Sequence, residues 1–212
     1  MKIPLPPRPA MTEHEQALLA ARPEFAAIAR WVTPGARVLD LGCGNGALLK
    51  FLWEAHQAPG YGVEIDDAEV LACVKNDINV VQLDLESGLS LFRDGSFDTV
   101  LLSETLQTIH RVEQLMHEML RVGREAIVVF PNFGHWAARL QVLMGRMPVS
   151  AALPYEWYNT PNVHLCTMAD FEDLCRKLGI RIRERVALHH SRPVSFLPNL
   201  FGSLAVYRCA AS

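Results

Sequence analysis

The chain has 212 residues, of which 50% are hydrophobic and 20% are charged, and its mean hydropathy is +0.11. This apolar content, with a net charge of only −3, excludes an intrinsically disordered chain and is sufficient for one domain with a substantial core. No apolar run approaches the roughly 18 residues of a membrane-spanning helix, so no membrane partner is expected.

Hydrophobic periodicity predicts strands and helices in alternation along the chain. Predicted helices cover residues 25–32, 48–55, 68–76, 112–120, 135–144 and 167–178, and predicted strands cover residues 37–41, 60–65, 80–83, 99–103, 126–130, 180–186 and 204–209. Continuous apolar strands that alternate with helices are typical of a parallel sheet covered on both faces. The last two strands are joined by residues 188–202, which show no helical pattern, so we expect the last strand to be antiparallel. Together these features predict a doubly wound α/β fold with seven strands.

Domain boundaries follow from composition and loop length. Four prolines among the first nine residues predict a flexible, proline-rich tail at residues 1–10, and residues 11–212 are expected to form a single domain. Within this domain, residues 131–163 separate a strand from its next helix, and that connection is too long for a plain loop. We therefore predict an insertion at residues 131–163, a kind of segment that often carries function.

Cysteine usage and the distribution of charge narrow the possible partners. The five cysteines form no CxxC pair, which suits a reducing cytoplasm and argues against a zinc knuckle, so no bound metal is expected. Residues 1–110 hold 8 Lys and Arg against 15 Asp and Glu, a net charge of −7, whereas residues 111–212 hold 12 against 8, a net charge of +4. The first half would repel nucleic acid and the second is only mildly basic, so no nucleic-acid partner is expected.

A glycine-rich turn joins the first predicted strand to the next helix. Three alternating glycines there allow positive φ angles and let a ligand approach the backbone closely: Gly42, Gly44 and Gly46. Glu64 ends the second strand, where a carboxylate can accept both hydroxyls of a ribose. Asp84 ends the third strand, where it could reach an adenine amino group. The arrangement therefore predicts a nucleoside-containing ligand.

Two nucleoside ligands compete for this turn. A dinucleotide would bring a pyrophosphate, but its fingerprint places the third glycine at the position of Ala47, and Asp40 would lie unfavourably beside the phosphates. S-adenosylmethionine brings a sulfonium and an amino group instead, and both tolerate a neighbouring acid. The charges favour S-adenosylmethionine, and a nicotinamide-dependent oxidoreductase is the weaker alternative.

These motifs resemble a known superfamily. Residues 40–46, Glu64, Asp84 and residues 97–100 are similar to the successive motifs of class I S-adenosylmethionine-dependent methyltransferases. The resemblance implies a Rossmann-like fold with a seven-stranded, mainly parallel sheet and an antiparallel last strand. It also implies the following cofactor-binding residues: Gly42, Gly44 and Gly46 around the methionine moiety, Glu64 on the ribose, and Asp84 with Leu85 around the adenine. The predicted cofactor-binding set further includes Asp40, Ile65 and Ser103.

A closer resemblance covers nearly all of residues 22–208. The similar blocks are residues 61–66, Gln107, and residues 119–124, 130–136, 145–148 and 153–158, and they resemble the MetW family of methionine biosynthesis proteins. The last three blocks are not general methyltransferase motifs, so they make this match specific. The resemblance implies a protein that binds S-adenosylmethionine or S-adenosylhomocysteine and acts with the homoserine O-acyltransferase MetX at the homoserine acylation step. The alternative is an active methyltransferase on a small molecule.

Catalytic residues are less clearly indicated. Methyl transfer from a sulfonium needs mainly alignment and desolvation, with a base only where the acceptor must lose a proton. Candidates for the acceptor side are Glu104, Gln107, His135 and Tyr155. The insertion also concentrates aromatic residues, among them Trp136, Trp157 and Tyr158. These side chains are interpreted as a lid that closes over the ligand, as a surface for a partner protein, or as packing against the sheet edge.

Overall fold

The computed structural model describes residues 18, 19, 21–150 and 153–212, and the predicted tail at residues 1–10 lies outside them. The helices are α1 (Pro23–Trp31), α2 (Ala47–His56), α3 (Asp67–Lys75), α4 (Val112–Val122), α5 (Trp136–Leu143), α6 (Met168–Lys177) and α7 (Pro198–Phe201). The strands are β1 (Val38–Leu41), β2 (Gly60–Glu64), β3 (Val80–Gln82), β4 (Phe97–Ser103), β5 (Gly123–Pro131), β6 (Ile180–His189), β7 (Arg192–Val194) and β8 (Leu204–Ala211). None of the described helices is long and apolar enough to cross a membrane.

All eight strands form one sheet in the order β3-β2-β1-β4-β5-β8-β6-β7. Strands β1 to β5 pair in parallel, and β8 lies antiparallel between β5 and β6, so the antiparallel last strand is confirmed. Strand β1 lies between β2 and β4, where the strand order reverses. The crevice outside the carboxyl ends of strands at such a switch point is where ligands bind in open α/β sheets.

The predicted number of seven strands is wrong, because β7 forms a hairpin with β6. The turn consists of His190 and Ser191, whose φ angles of 45° and 65° match a two-residue turn with both central residues in the left-handed region. Such turns usually contain Asn or Gly, so the sequence gives no hairpin signal here. Pro193 is tolerated because β7 is at the edge of the sheet. Helix α7 was also missed; it begins with Pro198 at its first position.

The sheet carries an apolar cluster on each face. Helices α1 and α2 cover one face, with Phe25 and Phe51 among the buried side chains. Helices α4 and α6 cover the other, where the ring of Phe130 stacks on Tyr207 at 5.9 Å between centroids and Phe171 packs against both. Strand β1 is buried at every position because both faces of the sheet are covered, so its one polar residue, Asp40, is buried as well.

A buried asparagine fixes the start of the insertion. The amide nitrogen of Asn132 donates to the carbonyls of Asn199 and Gly202, at 3.0 and 2.8 Å. Its side-chain oxygen accepts from the backbone N–H groups of Gly134 and Met168, at 3.0 and 3.2 Å. One side chain therefore ties the end of β5 to the first turn of α6 and to the loop before β8. The similarity of block 130–136 to the family pattern thus has a structural basis.

We predict that Asn132→Ala is strongly destabilising, because it leaves two buried carbonyls and two N–H groups without this partner. The free energy of unfolding should fall by about 2–4 kcal/mol. Urea denaturation followed by circular dichroism measures it. Asn159→Ala is a matched control at an exposed position of the insertion and should change stability little. A loss below about 1 kcal/mol for Asn132→Ala would show that the network contributes little.

Candidate functional site

The glycine turn between β1 and α2 has the backbone geometry that the sequence predicts. Gly42, Gly44 and Gly46 have φ angles of 69°, 52° and 78°, in the left-handed region that favours glycine. A Cβ atom at Gly42 would lie 2.5 Å from the Thr105 hydroxyl oxygen, and one at Gly46 would lie 2.8 Å from a side-chain carbon of Ile78. At Gly44 the nearest atom would be 3.8 Å away. Gly42 and Gly46 are thus required by packing, whereas Gly44 leaves space.

Glu64, at the end of β2, holds this turn in place. One carboxylate oxygen accepts from the N–H of Gly44 at 2.9 Å, and the other accepts from the N–H groups of Ile65 and Asp66 at 2.8 and 3.0 Å. These bonds join the end of β2 to the turn after β1. A carboxylate has about four lone-pair positions, so Glu64 retains acceptor capacity.

Two cysteines pack against the glycine turn. The Cys73 thiol donates to the carbonyl oxygen of Gly44 at 3.0 Å, and the sulfur of Cys43 lies 3.7 Å from that of Cys73. Burial raises the pKa of both thiols, so they stay neutral. Cys43 also fills the space beside Gly62, where a Cβ atom would lie 2.3 Å from its sulfur. Both cysteines therefore serve packing, as neutral thiols are poor nucleophiles.

Two cavities adjoin the turn. The first, of about 390 Å³, is lined by Asp40, Ser103 and Arg22, and the second, of about 400 Å³, is lined by Glu64, Ile65, Asp84 and Leu85. Four residues line both cavities: Gly42, Gly44, Glu104 and Thr105. The structure thus brings together every predicted cofactor-binding residue except Gly46, which lines neither cavity and instead begins α2.

Asp40 is the unusual group of the first cavity. Its side chain is buried, at 2% exposure, and one carboxyl oxygen has no hydrogen-bond partner among the described residues. Burial, with a smaller contribution from the Glu64 carboxylate, raises the pKa of Asp40 to about 7, although Arg22 opposes the shift. The hydroxyl of Ser103 is likewise buried without a described partner. Unsatisfied buried polar atoms are rare in proteins, and two of them line this one cavity.

Glu104 directly follows β4 and lines the same cavity as Asp40. Its φ angle of 55° is uncommon for a residue with a side chain, which is a sign of local backbone strain. Burial and the Glu24 carboxylate raise the pKa of Glu104, and Arg22 lowers it. Arg22 lies 3.7 Å from the Glu104 carboxylate but also pairs with Glu24. Sequence reasoning missed Arg22 and Thr105, because neither belongs to a motif and no spacing relates them to the turn.

The charges of the two cavities indicate what they can hold. The carboxylates of Asp40, Glu69 and Glu104 line the first cavity, and Arg22, its arginine, is already paired with Glu24. A pyrophosphate would add negative charge to this environment, whereas an ammonium or sulfonium would compensate it. The charges of the first cavity therefore favour a cationic group over a pyrophosphate.

The four catalytic candidates do not form one constellation. Glu104 lines both cavities at the turn, while Gln107 lines a third, larger cavity and donates to the carbonyl of Glu104 at 2.6 Å. His135 begins α5 and its ring stacks on His189 at 5.0 Å. Tyr155 lies exposed in the insertion. Neither His135 nor Tyr155 lines any of these three cavities.

The aromatic residues of the insertion are exposed. Trp157 and Tyr158 have 71% and 70% of their surface accessible, and Leu143 at the end of α5 has 84%. Packing against the sheet edge therefore does not account for Trp157 or Tyr158. Large exposed apolar side chains grouped on one segment are typical of an interaction surface.

We predict that Asp40→Asn makes folding less sensitive to pH. The pKa of Asp40 is about 7 in the folded protein against an ordinary value of 3.8, so between these values the folded state keeps a proton that the unfolded chain has released. Raising the pH through this window therefore destabilises the wild type but not the variant. The advantage of Asp40→Asn in free energy of unfolding should grow by up to about 4 kcal/mol from pH 4 to pH 8.

Urea denaturation at several pH values tests this prediction. Glu54→Gln is the matched control, because Glu54 is an exposed acid on α2, and its pH profile should follow that of the wild type. A difference between Asp40→Asn and wild type that stays constant with pH would contradict the raised pKa.

Comparisons with known proteins identify the family of this chain. The sequence profile described as methionine biosynthesis protein MetW matches residues 22–209. The chain is 42% identical over 165 residues to the bifunctional methionine biosynthesis protein MetXA/MetW of Rhodopirellula baltica, a match that covers 73% of this chain and 26% of that protein. The chain therefore spans about a quarter of the length of this relative.

Solved structures share the fold. An S-adenosylmethionine-dependent methyltransferase from Mesorhizobium loti superposes with a TM-score of 0.66 at 17% identity, over 90% of this chain and 97% of that one. Magnesium protoporphyrin IX methyltransferase from Synechocystis, with bound S-adenosylhomocysteine, superposes with a TM-score of 0.64 at 17% identity, over 96% and 90%. The expected class I methyltransferase fold is thus confirmed. Since the profile match spans nearly the whole chain, the protein belongs to the MetW family of methionine biosynthesis proteins.

Proposed function

We propose that this protein binds S-adenosylmethionine or S-adenosylhomocysteine at the glycine turn and acts as an accessory subunit of the homoserine O-acyltransferase MetX. The observation that carries the cofactor assignment is the buried carboxyl oxygen of Asp40, which has no described partner in a cavity whose charged lining residues are Asp40, Glu69, Glu104 and Arg22. An amino group would supply the missing donor and the missing charge.

The residues of the two cavities would divide the ligand between them. Asp40, Glu104 and Ser103 would hold the amino-acid end, with Gly44 leaving room beside the backbone. Glu64 would accept from the ribose while still holding the turn. Asp84, whose carboxylate caps the turn at Leu85–Ser87, would lie with Ile65 and Leu85 around the adenine. When bound, S-adenosylmethionine supplies an activated methyl group.

We expect calorimetric titration to detect binding of S-adenosylhomocysteine and S-adenosylmethionine but not of NADH. At pH 6 the ligand ammonium must displace the proton of Asp40, so affinity should rise about tenfold between pH 6 and pH 8. Asp40→Asn should weaken binding about tenfold at pH 8 and remove this rise. Glu54→Gln, at an exposed position away from both cavities, serves as the control. Binding of NADH in preference to S-adenosylhomocysteine would refute the assignment.

The MetX partner is supported by the bifunctional relative, whose name joins MetXA and MetW. The surface available for such a partner is the insertion face, which we define as Trp136, Leu140, Leu143, Trp157 and Tyr158. The first three follow one stripe of α5 at helical spacing, and all five are exposed in this chain. Exposed Trp and Tyr side chains contribute strongly to protein interfaces.

We predict that purified MetX from the same source is retained by the immobilised protein and that the double variant Leu143→Ser, Trp157→Ser loses this capture. Burial of these side chains would stabilise the complex, and each truncation at an interface centre costs about 2 kcal/mol or more. Phe196→Ser is the matched control, because Phe196 is equally exposed but lies outside the insertion face. S-adenosylhomocysteine binding by the double variant shows that the fold is intact.

The acylation rate of the complex tests whether the ligand regulates MetX. S-adenosylmethionine is a downstream product of methionine, so binding it would report pathway output through differential affinity. An identical rate and an identical association constant with and without S-adenosylhomocysteine would contradict regulation. A labelled product from labelled S-adenosylmethionine and cell extract would instead support the methyltransferase alternative.

A further inference from the structure

The largest cavity described lies away from the glycine turn. It has a volume of about 950 Å³ and lies between the first half of α4, the middle of α6 and residues 164–166; we refer to it as the α4–α6 cavity. Its apolar lining includes Phe130, Leu153, Leu165, Phe171 and Leu174. This volume is at the upper end of those of ligand sites, which run from about 300 to 1,000 Å³.

The α4–α6 cavity is distinct from the cofactor site proposed above. Its lining contains none of the three glycines of the turn, nor Asp40 or Glu64. His110 is the residue that it shares with the second cavity at the turn, so the two sites are neighbours. Gln107 and Leu106 line the α4–α6 cavity alone, on the same short segment.

Three carboxylates and one arginine lie among the residues that line the α4–α6 cavity. Glu113 pairs with Lys177 and Glu118 with Arg121, each at 2.7 Å, whereas the Asp170 carboxylate accepts from the N–H and the hydroxyl of Thr167 at the start of α6. Arg111, in contrast, makes no side-chain hydrogen bond or ion pair within the part of the chain that the structure describes. Asp170 thus has hydrogen-bond donors but no cationic partner, and Arg111 is the charged lining residue without a described side-chain contact.

The start of α4 offers hydrogen-bond donors beside Arg111. Arg111 is the residue before the helix, and no side chain caps the N–H groups of the first turn. Uncapped N–H groups and the helix dipole both favour a negative group at this position. His110, His117 and His164 also line the cavity and can donate hydrogen bonds.

We propose that the α4–α6 cavity binds an amphipathic organic anion. The apolar body, an acyl chain or an aromatic group, packs on Phe130, Phe171 and Leu174, and the carboxylate or other anionic head pairs with Arg111 at the rim. An arginine and a carboxylate form two parallel hydrogen bonds, which gives the head a fixed orientation. An apolar cavity with a few polar groups at one end is the usual form of a small-molecule site.

Titrations with three ligands of equal chain length test the proposal in the full-length protein. The probes are octanoate, 1-octanol and octylamine, and binding is followed by calorimetry and by amide chemical shifts. Octanoate should bind most tightly. Arg111→Gln should weaken the binding of octanoate about tenfold and leave the binding of 1-octanol unchanged. Leu174→Trp, at a half-buried position of α6, fills the cavity and should weaken both ligands.

The control is Arg146→Gln, since Arg146 is exposed, outside the cavity and also without a described side-chain partner. The ratio of octanoate to 1-octanol affinity within each variant cancels any general loss of folded protein. The proposal would be overturned if octanoate and 1-octanol bound equally well. It would also be overturned if octanoate bound to Arg111→Gln or to Leu174→Trp as tightly as to the wild type. The absence of octanoate binding would also overturn the proposal. In that case, loss of MetX capture by Leu174→Trp would indicate that the cavity holds a protein segment.

Discussion

The site depends on the three hydrogen bonds that Glu64 accepts from backbone N–H groups. Two of them fix the chain as it leaves β2, and the third reaches across to Gly44 in the turn after β1. Because Gly44 is held, the turn keeps its left-handed geometry and α2 starts at Ala47 with its N-terminus beside the first cavity. The same carboxylate adds to the negative potential that, after burial, raises the pKa of Asp40. A single side chain thus controls both the shape and the charge of the crevice.

Much of the fold could be predicted from the sequence because local pattern and tertiary structure agree. Residues 126–130 of the buried parallel strand β5 are a continuous apolar run, and a capping box of Thr167 and Asp170 begins α6. β7 could not be predicted, since a turn of His190 and Ser191 carries no hairpin signal and its strand contains a proline. Its existence is decided by pairing with β6, which is a tertiary effect.

The candidate site likewise contains residues that the sequence could indicate and residues that it could not. Glu64 and Asp84 lie at strand ends within motifs, and the sequence can predict that they line one cavity because topology brings strand ends to one edge. Arg22 was missed because it acts from the residue before α1, through contacts with Glu24 and Glu104 that no spacing encodes. The block at residues 130–136 shows the converse, a predicted functional segment with a structural role. Its residues looked functional, yet Asn132 within it serves the packing of the insertion onto α6 and the loop before β8.

The segment from Ser103 to His110 lies between the two cavities at the glycine turn and the α4–α6 cavity. Ser103, Glu104 and Thr105 face the glycine turn, Leu106 and Gln107 face the α4–α6 cavity, and His110 borders both sides. The segment is fixed to β5 through the bond from the Glu104 N–H to Val129, and to the end of the insertion through the Gln107 carbonyl, which accepts from residues 163 and 164. It is therefore a partition, and a displacement that widens the compartment on one side narrows the compartment on the other.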